Sequence, residues 1–145
     1  MARTIRCDVA IAGGGLAGGL IALALAARRP DVSVMIVEEG ETLGGNHIWS
    51  FFDSDVLAAD RWLIDPIVAH GWEGYHVLFP KRRRRLPQSY ASVHSELLDK
   101  AVRAALPADR VLTGCRILGA GARGKRQARW LRAPKAGDVD ASLNV

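Results

Sequence analysis

Cysteine is scarce in this chain. Cys7 and Cys115 are its two copies in 145 residues, far apart and with no CxxC pair. That excludes a disulfide framework and a zinc ribbon, and both read as small core residues of a chain kept in a reducing compartment. The four histidines, His47, His70, His76 and His94, share no ligand spacing with one another or with the cysteines, so no metal is expected. Internal repeats and low-complexity tracts are also absent. A composition 49% hydrophobic and 24% charged suits one ordinary globular domain with a real core.

Acids are missing where bases gather. Lys81-Arg82-Arg83-Arg84-Arg85 supplies five charges in a row, and Arg123, Lys125, Arg126, Arg129, Arg132 and Lys135 precede the next acid, Asp138. The net charge of +5 is therefore local. The first run has the form of a nuclear-import patch, and it suits anionic lipid headgroups, a phosphate, or plain solvation as a surface loop. It lacks the stacking aromatics that nucleic-acid binding calls for, so no nucleic-acid partner is expected.

Long apolar runs are limited to residues 9–27, nineteen uncharged positions behind Arg3 and Arg6. A signal peptide or membrane span is one reading of such a run. Five glycines inside it, Asp8 at its start and an acid-ended strand after it favour a soluble βαβ unit instead. Gly13-Gly14-Gly15-Leu16-Ala17-Gly18 matches G-x-G-x-x-G, with an apolar strand before it and an alanine-rich helix over about Leu16–Arg28 after it. Pro30-Asp31 breaks the helix, Val32–Val37 reads as the second strand, and Glu38 follows, twenty residues beyond Gly18.

Each part of this pattern has a physical job. Gly13 turns the chain off the strand, because without a Cβ it takes positive φ freely. Gly15 lets backbone approach a diphosphate, which meets the open N–H groups of Leu16, Ala17 and Gly18 at the positive end of the helix. Gly18 lets helix and strand pack closely, and Glu38 is placed to accept a ribose 2′-OH. The acid would repel a 2′-phosphate, so the nucleotide is of the FAD or NAD type.

Farther on, Gly44-Gly45 marks a tight loop where backbone, Gly45 included, can again approach a ligand. Residues 53–66 read as a short helix and Tyr75–Phe79 as a strand stopped by Pro80. Ser92 reads as the N-cap of a helix running to about Ala105, with Val93, Leu97, Ala101 and Ala105 on one face. Glu96–Lys100 and Asp99–Arg103 form i,i+4 pairs on its wet side. Arg110–Leu118 reads as a strand, with Gly119-Ala120-Gly121 as the turn after it. The order points to a layered α/β domain over residues 1–122: Rossmann-like, FAD/NAD(P)-binding and incomplete. Residues 123–145 read as a disordered basic tail that is not part of that domain, with a shifted reading frame or a cut gene near Gly121–Gly124 as its simplest origin.

The fingerprint, Gly44-Gly45-Asn46-His47-Ile48-Trp49-Ser50-Phe51 and Phe79-Pro80-Lys81-Arg82-Arg83-Arg84 together resemble the N-terminal part of bacterial lycopene β-cyclases. The resemblance covers residues 5 to about 120 in order and spacing. It implies a redox-neutral, acid-initiated cyclisation of the ends of lycopene, or a related linear carotenoid, to β-rings. It also implies bound FAD in its reduced form, NAD(P)H as reductant, and a cytoplasmic enzyme peripheral on the inner face of the cell membrane. In related flavoprotein folds backbone of a later strand holds the adenine edge, and by position that residue is Cys115. His47 reads either as a loop residue near the isoalloxazine or as a hydrogen-bonded structural histidine. The family's acidic motif for proton chemistry has no match here, so the catalytic acid is unknown and this chain alone is expected to be inactive. A flavoprotein oxidoreductase or monooxygenase, and a basic membrane- or nucleic-acid-binding module, are the competing readings.

Overall fold

In the computed structural model the first apolar stretch is one strand with a joint in it. The structure describes residues 4–123, 128–133 and 137–142. Strand β1 spans Thr4–Cys7 and β2 spans Val9–Ala12, with a bend at Asp8 between them. Asp8 is fastened to the residue before the next parallel strand. Its carboxylate accepts from the amide and hydroxyl of Ser33 at 2.8 and 2.6 Å, and its own amide donates to the Ser33 carbonyl at 2.9 Å.

Helix α1, Leu16–Arg28, carries the chain to β3, Val34–Val37, which lies parallel to β2 with Val9 opposite Val34 and Ala12 opposite Val37. All four residues of β3 are buried. Alternate side chains enter two cores: Val34 and Ile36 join Ile11, Ala22, Leu98, Val102 and Val111, while Met35 and Val37 join Cys7, Cys115 and Val139. A strand covered on both faces has no polar side, and its sequence is apolar without alternation. Strand β9, Val111–Leu112, adds to its other edge in parallel. This is the expected Rossmann-like βαβ unit.

α1 is less buried than an all-apolar helix suggests. Gly19 and Ala22 are buried, whereas Ile21 is 51% exposed. Its close contact is with a later helix, α3 (Ser95–Ala105): a Cβ on Gly19 would stand 2.8 Å from a methyl of Leu98.

A second sheet is antiparallel, in the order β4 (Ile48–Phe52), β8 (Tyr90–His94), β5 (Val68–Trp72). Ser92 therefore lies inside β8, buried and paired with Ser50 and His70, and does not cap a helix. α3 begins at Ser95 after His94, and its buried stripe is Leu98 and Val102, one position off the face counted from Val93. The helix expected over 53–66 is broken into 3-10 turns at Asp53–Asp55, Ala58–Asp60 and Asp65–Ile67 around a four-residue α2, Arg61–Ile64. Competing local bonds explain this: Asp55 turns back to accept from the Phe52 amide at 2.9 Å, and Pro66 ends regular helix.

The basic run is a strand, not a loop. β7, Arg82–Leu86, pairs antiparallel with β6, Tyr75–Phe79, in a two-stranded hairpin. The C-terminal stretch departs most from expectation. Gly119–Arg123 forms β10, Ala128–Ala133 β11 and Gly137–Ser142 β12, an antiparallel meander whose last strand runs parallel to β1 with Ile5 opposite Val139. Gly119-Ala120-Gly121 is thus strand and not turn, and 128–133 and 137–142 form strands within the stretch expected as a disordered tail. Backbone ladders need no hydrophobic period, and the partner strand comes from the opposite end of the sequence. Lys125, Arg126 and Lys135 lie outside the described residues.

Candidate nucleotide-binding site

The bend after β2 is built almost entirely of backbone. Gly13 has φ of +94°, which glycine adopts without cost, and its amide still donates to the Val37 carbonyl of β3 at 2.8 Å. Gly14 is buried, and a Cβ there would run into Leu43 and stand 3.2 Å from the Cβ of Glu38. A Cβ on Gly18 would collide with the Gly13 carbonyl oxygen, so the helix sits directly over the turn. Gly15 is different: a Cβ there meets nothing within 4 Å.

Gly15 is also the N-cap of α1. Its carbonyl accepts the Gly19 amide at 2.9 Å, it has no side chain to cap the first turn, and no acid lies in that turn. The amides of Leu16, Ala17 and Gly18 have no intrahelical carbonyl to bond, as in any first turn. An open space, N–H groups without intrahelical partners and the positive end of a 13-residue helix together suit a phosphate.

Glu38 stands beside this bend, at the end of β3. One carboxylate oxygen accepts the Gly14 amide at 2.6 Å and the other accepts the Gly40 amide at 2.7 Å. Its backbone is pinned on both sides, with its amide to the Leu112 carbonyl and its carbonyl to the Cys115 amide, each at 2.8 Å. An ionised carboxylate has about four acceptor directions, so two remain for ribose hydroxyls. Cys115 is buried and follows β9 after Gly114, whose φ is +65°. Its amide is spent on Glu38 and its thiol donates to the Thr113 carbonyl at 3.3 Å.

The second glycine pair is tied to the first. The Gly44 amide donates to the Gly14 carbonyl at 2.7 Å, and Gly44 and Gly45 have φ of +77° and +59°. Gly44 is walled in, since a Cβ would stand 2.8 Å from that of Ser95 and 2.9 Å from the Trp49 ring, whereas Gly45 is exposed. His47 is exposed and stacks obliquely on Trp49 with ring centroids 5.8 Å apart, and its carbonyl accepts the Ser95 amide. The structure thus gathers Gly13, Gly15, Leu16, Ala17, Gly18 and Glu38 at one bend and brings the Gly45 loop beside it.

Two contributors escaped the sequence reading. Gly14 occupies a variable position of the fingerprint yet bonds both Glu38 and Gly44. Asp99, half of a surface pair by its spacing, does meet Arg103 at 2.9 Å, but it also accepts the amide of buried Leu43 at 2.8 Å and so holds the loop before Gly44. Among the described residues no group of three or more His, Cys, Asp or Glu is placed to hold a metal. A cleft of about 430 Å³ lies away from the bend, lined by residues that include Asp53, Arg61, Trp72 and Tyr90.

The family model described as "Lycopene cyclase protein" matches residues 8–118, from the joint at Asp8 to the residue before β10. The chain belongs to the lycopene cyclase family. A lycopene beta-cyclase of Pseudescherichia vulneris is 46% identical over 99 residues, covering 68% of this chain and 26% of that protein. The corresponding protein of Pantoea ananas is 40% identical over 89 residues, covering 61% and 23%. This cyclase-family chain spans about a quarter of the length of the relatives it matches. In shape it resembles RebC with bound 7-carboxy-K252c (TM-score 0.68, 20% identity, 96% of this chain and 31% of that one). It also resembles PqsL, a probable FAD-dependent monooxygenase from Pseudomonas aeruginosa (TM-score 0.66, 18% identity, 94% and 40%). At these identities the likeness is one of fold.

Proposed function

We propose that this chain is the nucleotide-holding part of a lycopene β-cyclase and that its ligand is FAD. The observation that carries the nucleotide reading is the open space over Gly15 at an uncapped helix start, with Glu38 bonded to the adjoining Gly14. On this reading Gly13–Gly18 would take the diphosphate on backbone amides and Glu38 a ribose hydroxyl. Gly45 lies on the loop that would close beside them. The adenine edge falls to Cys115, whose engaged amide leaves its carbonyl for the contact. Support for FAD comes from the FAD-dependent character named for PqsL and from RebC with reduced flavin, which shares the fold at a TM-score of 0.63.

The reaction proposed for the whole enzyme is redox-neutral. A terminal double bond of lycopene is protonated, the tertiary cation closes onto a neighbouring double bond, and proton loss leaves a β-ring. Reduced FAD, kept reduced by NAD(P)H, would supply fixed negative charge beside the cation in an apolar site that excludes water. Nothing in this chain is assigned as the proton donor, and the chain alone is proposed not to cyclise. We propose that the enzyme is cytoplasmic and peripheral on the inner face of the cell membrane, a position that suits a polyene substrate dissolved in the bilayer.

Two measurements test this. Amide NMR of the chain titrated with FAD is expected to move the resonances of Gly15, Leu16, Ala17 and Gly18 in the parent and not in Gly15→Val, whose side chain fills the open space. Shifts elsewhere, or unchanged shifts at millimolar FAD, would overturn the nucleotide assignment. For the reaction, a full-length relative given lycopene and reduced flavin is expected to yield cyclic product without stoichiometric NADH consumption. Steady NADH oxidation coupled to product would favour an oxidoreductase.

A further inference from the structure

The β6–β7 hairpin is the feature that nucleotide binding leaves unexplained. It is a two-stranded sheet of its own, and among the described residues no third strand pairs with it. Its base is attached, with Tyr75 half-buried and its ring 5.9 Å from that of Phe52. Its tip is not. Leu78 is 67% exposed and Phe79 66%, immediately before the Pro80-Lys81 turn, and Lys81 through Arg85 are all exposed.

Register places these groups. Phe79 faces Arg82 and Leu78 faces Arg83 across the hairpin, so each pair shares a face and consecutive pairs lie on opposite faces. The last two rungs thus carry one large apolar side chain on each side, ringed by cations. No acid occurs between Glu73 and Glu96. Among the described residues none of the five cations forms an ion pair with a carboxylate. A strand of arginines at a sheet edge does discourage pairing with other chains. That accounts for the charge on β7 but not for a phenyl and an isobutyl group held out in solvent on β6.

We infer that the β6–β7 tip is an interfacial anchor for an anionic lipid bilayer, entered end-on by Leu78 and Phe79 while Lys81–Arg85 meet the headgroups. Two rungs of a strand reach roughly 7 Å, within the depth of about 5–10 Å that interfacial anchors occupy. Long basic side chains keep their charged ends at the polar surface as their stems follow the apolar tip down. Among the described residues no helix is long and apolar enough to cross a membrane, so a superficial anchor is the mode this surface fits. The inference gives the membrane placement proposed above a defined surface. Its test needs neither flavin nor carotenoid, so failure of the one leaves the other standing.

The experiment is co-sedimentation of the chain with vesicles of phosphatidylcholine alone or mixed with phosphatidylglycerol, with far-UV circular dichroism to confirm each variant's fold. Binding is expected to the mixed vesicles and not to phosphatidylcholine. Replacing Arg82, Arg83 and Arg84 by glutamine should weaken it by about a hundredfold. Leu78→Ser with Phe79→Ser, which leaves every charge in place, should weaken it by about tenfold. An environment-sensitive dye on Phe79→Cys should shift to the blue on the mixed vesicles. Unchanged binding by the serine variant, or no dye shift, would reduce the effect to surface adsorption and overturn the proposal. Tighter binding to a single-stranded oligonucleotide than to the vesicles, at the same salt, would replace it with a nucleic-acid partner.

Discussion

Gly14 and Glu38 are joined by a hydrogen bond of 2.6 Å from the glycine amide to the carboxylate, across the gap between the first parallel strand and the second. The same glycine takes the Gly44 amide on its carbonyl. The end of β3 and the loop six residues beyond it therefore both fasten to one residue with no side chain. The acid proposed to hold a ribose is also the acid that fixes the bend proposed for the diphosphate, so loss of its charge should be felt by both.

Glu38→Gln should disturb both roles at once. The amide side chain keeps one acceptor oxygen and turns a donor toward either the Gly14 or the Gly40 amide. A partly buried amide then loses a charge-assisted bond, for which about 1–3 kcal/mol of stability is the usual cost. The urea midpoint should fall accordingly, and any FAD-induced shift at Gly15–Gly18 should weaken along with it. An unchanged midpoint would mean that water replaces the carboxylate without loss.

The glycines of the bend should sort by what surrounds them. Gly15→Ala adds a methyl to open space at φ of −67°, a conformation any residue adopts, so stability should stay within about 0.5 kcal/mol. Gly14→Ala and Gly18→Ala drive a methyl into Leu43 and into the Gly13 carbonyl oxygen. Each should cost about 1–3 kcal/mol as local overpacking. Chemical denaturation of the three variants side by side checks the order.

The legible parts of this fold were those where one short segment decides its own structure. Leu16–Arg28 was bounded by a glycine turn and Pro30, and the helix has those limits. Val34–Val37 has no polar side because it is covered on both faces, and its composition alone says so. Ser92 was misread because serine before Val93 and Glu96 looks like a cap, while its actual setting is the middle strand of a sheet whose edges come from 48–52 and 68–72. The strand at 137–142 has no local signal for the same reason, since its parallel partner is Thr4–Cys7 at the far end of the sequence, and the strand at 128–133 pairs onto it. Spacing groups Gly13, Gly15, Gly18 and Glu38, and the structure gathers them at one bend. The part played by Gly14 has no side-chain signature to read.

Stability should fall in acid through Asp8. The Ser33 hydroxyl, then the Ser33 amide, hold its carboxyl below the ordinary aspartate value of 3.8. A carboxyl with a depressed folded value binds protons more readily when unfolded. Its contribution is therefore complete above the ordinary value and is lost as pH falls through the folded one. Asp31 behaves likewise through its bond from Arg29, at 2.7–2.8 Å. Denaturation midpoints measured below about pH 5 should decline with pH, and Asp8→Asn should flatten that decline. A slope unaltered by Asp8→Asn would remove Asp8 from the account.

Asp99 offers the sharpest distinction between a surface pair and a structural one. An exposed i,i+4 pair with Arg103 contributes about 0.3–0.5 kcal/mol, and Arg103→Ala should cost no more than that range. Asp99→Ala removes the acceptor for the Leu43 amide as well, next to a side chain that is fully buried and abuts Gly14. An amide stranded there should cost about 1–3 kcal/mol. Hydrogen exchange adds a local reading, because the Leu43 amide should lose protection in Asp99→Ala and keep it in Arg103→Ala. Equal costs for the two variants would return Asp99 to the solvent-facing role its sequence position suggests, and the Gly44 loop would then owe its position to the Gly14 bond alone.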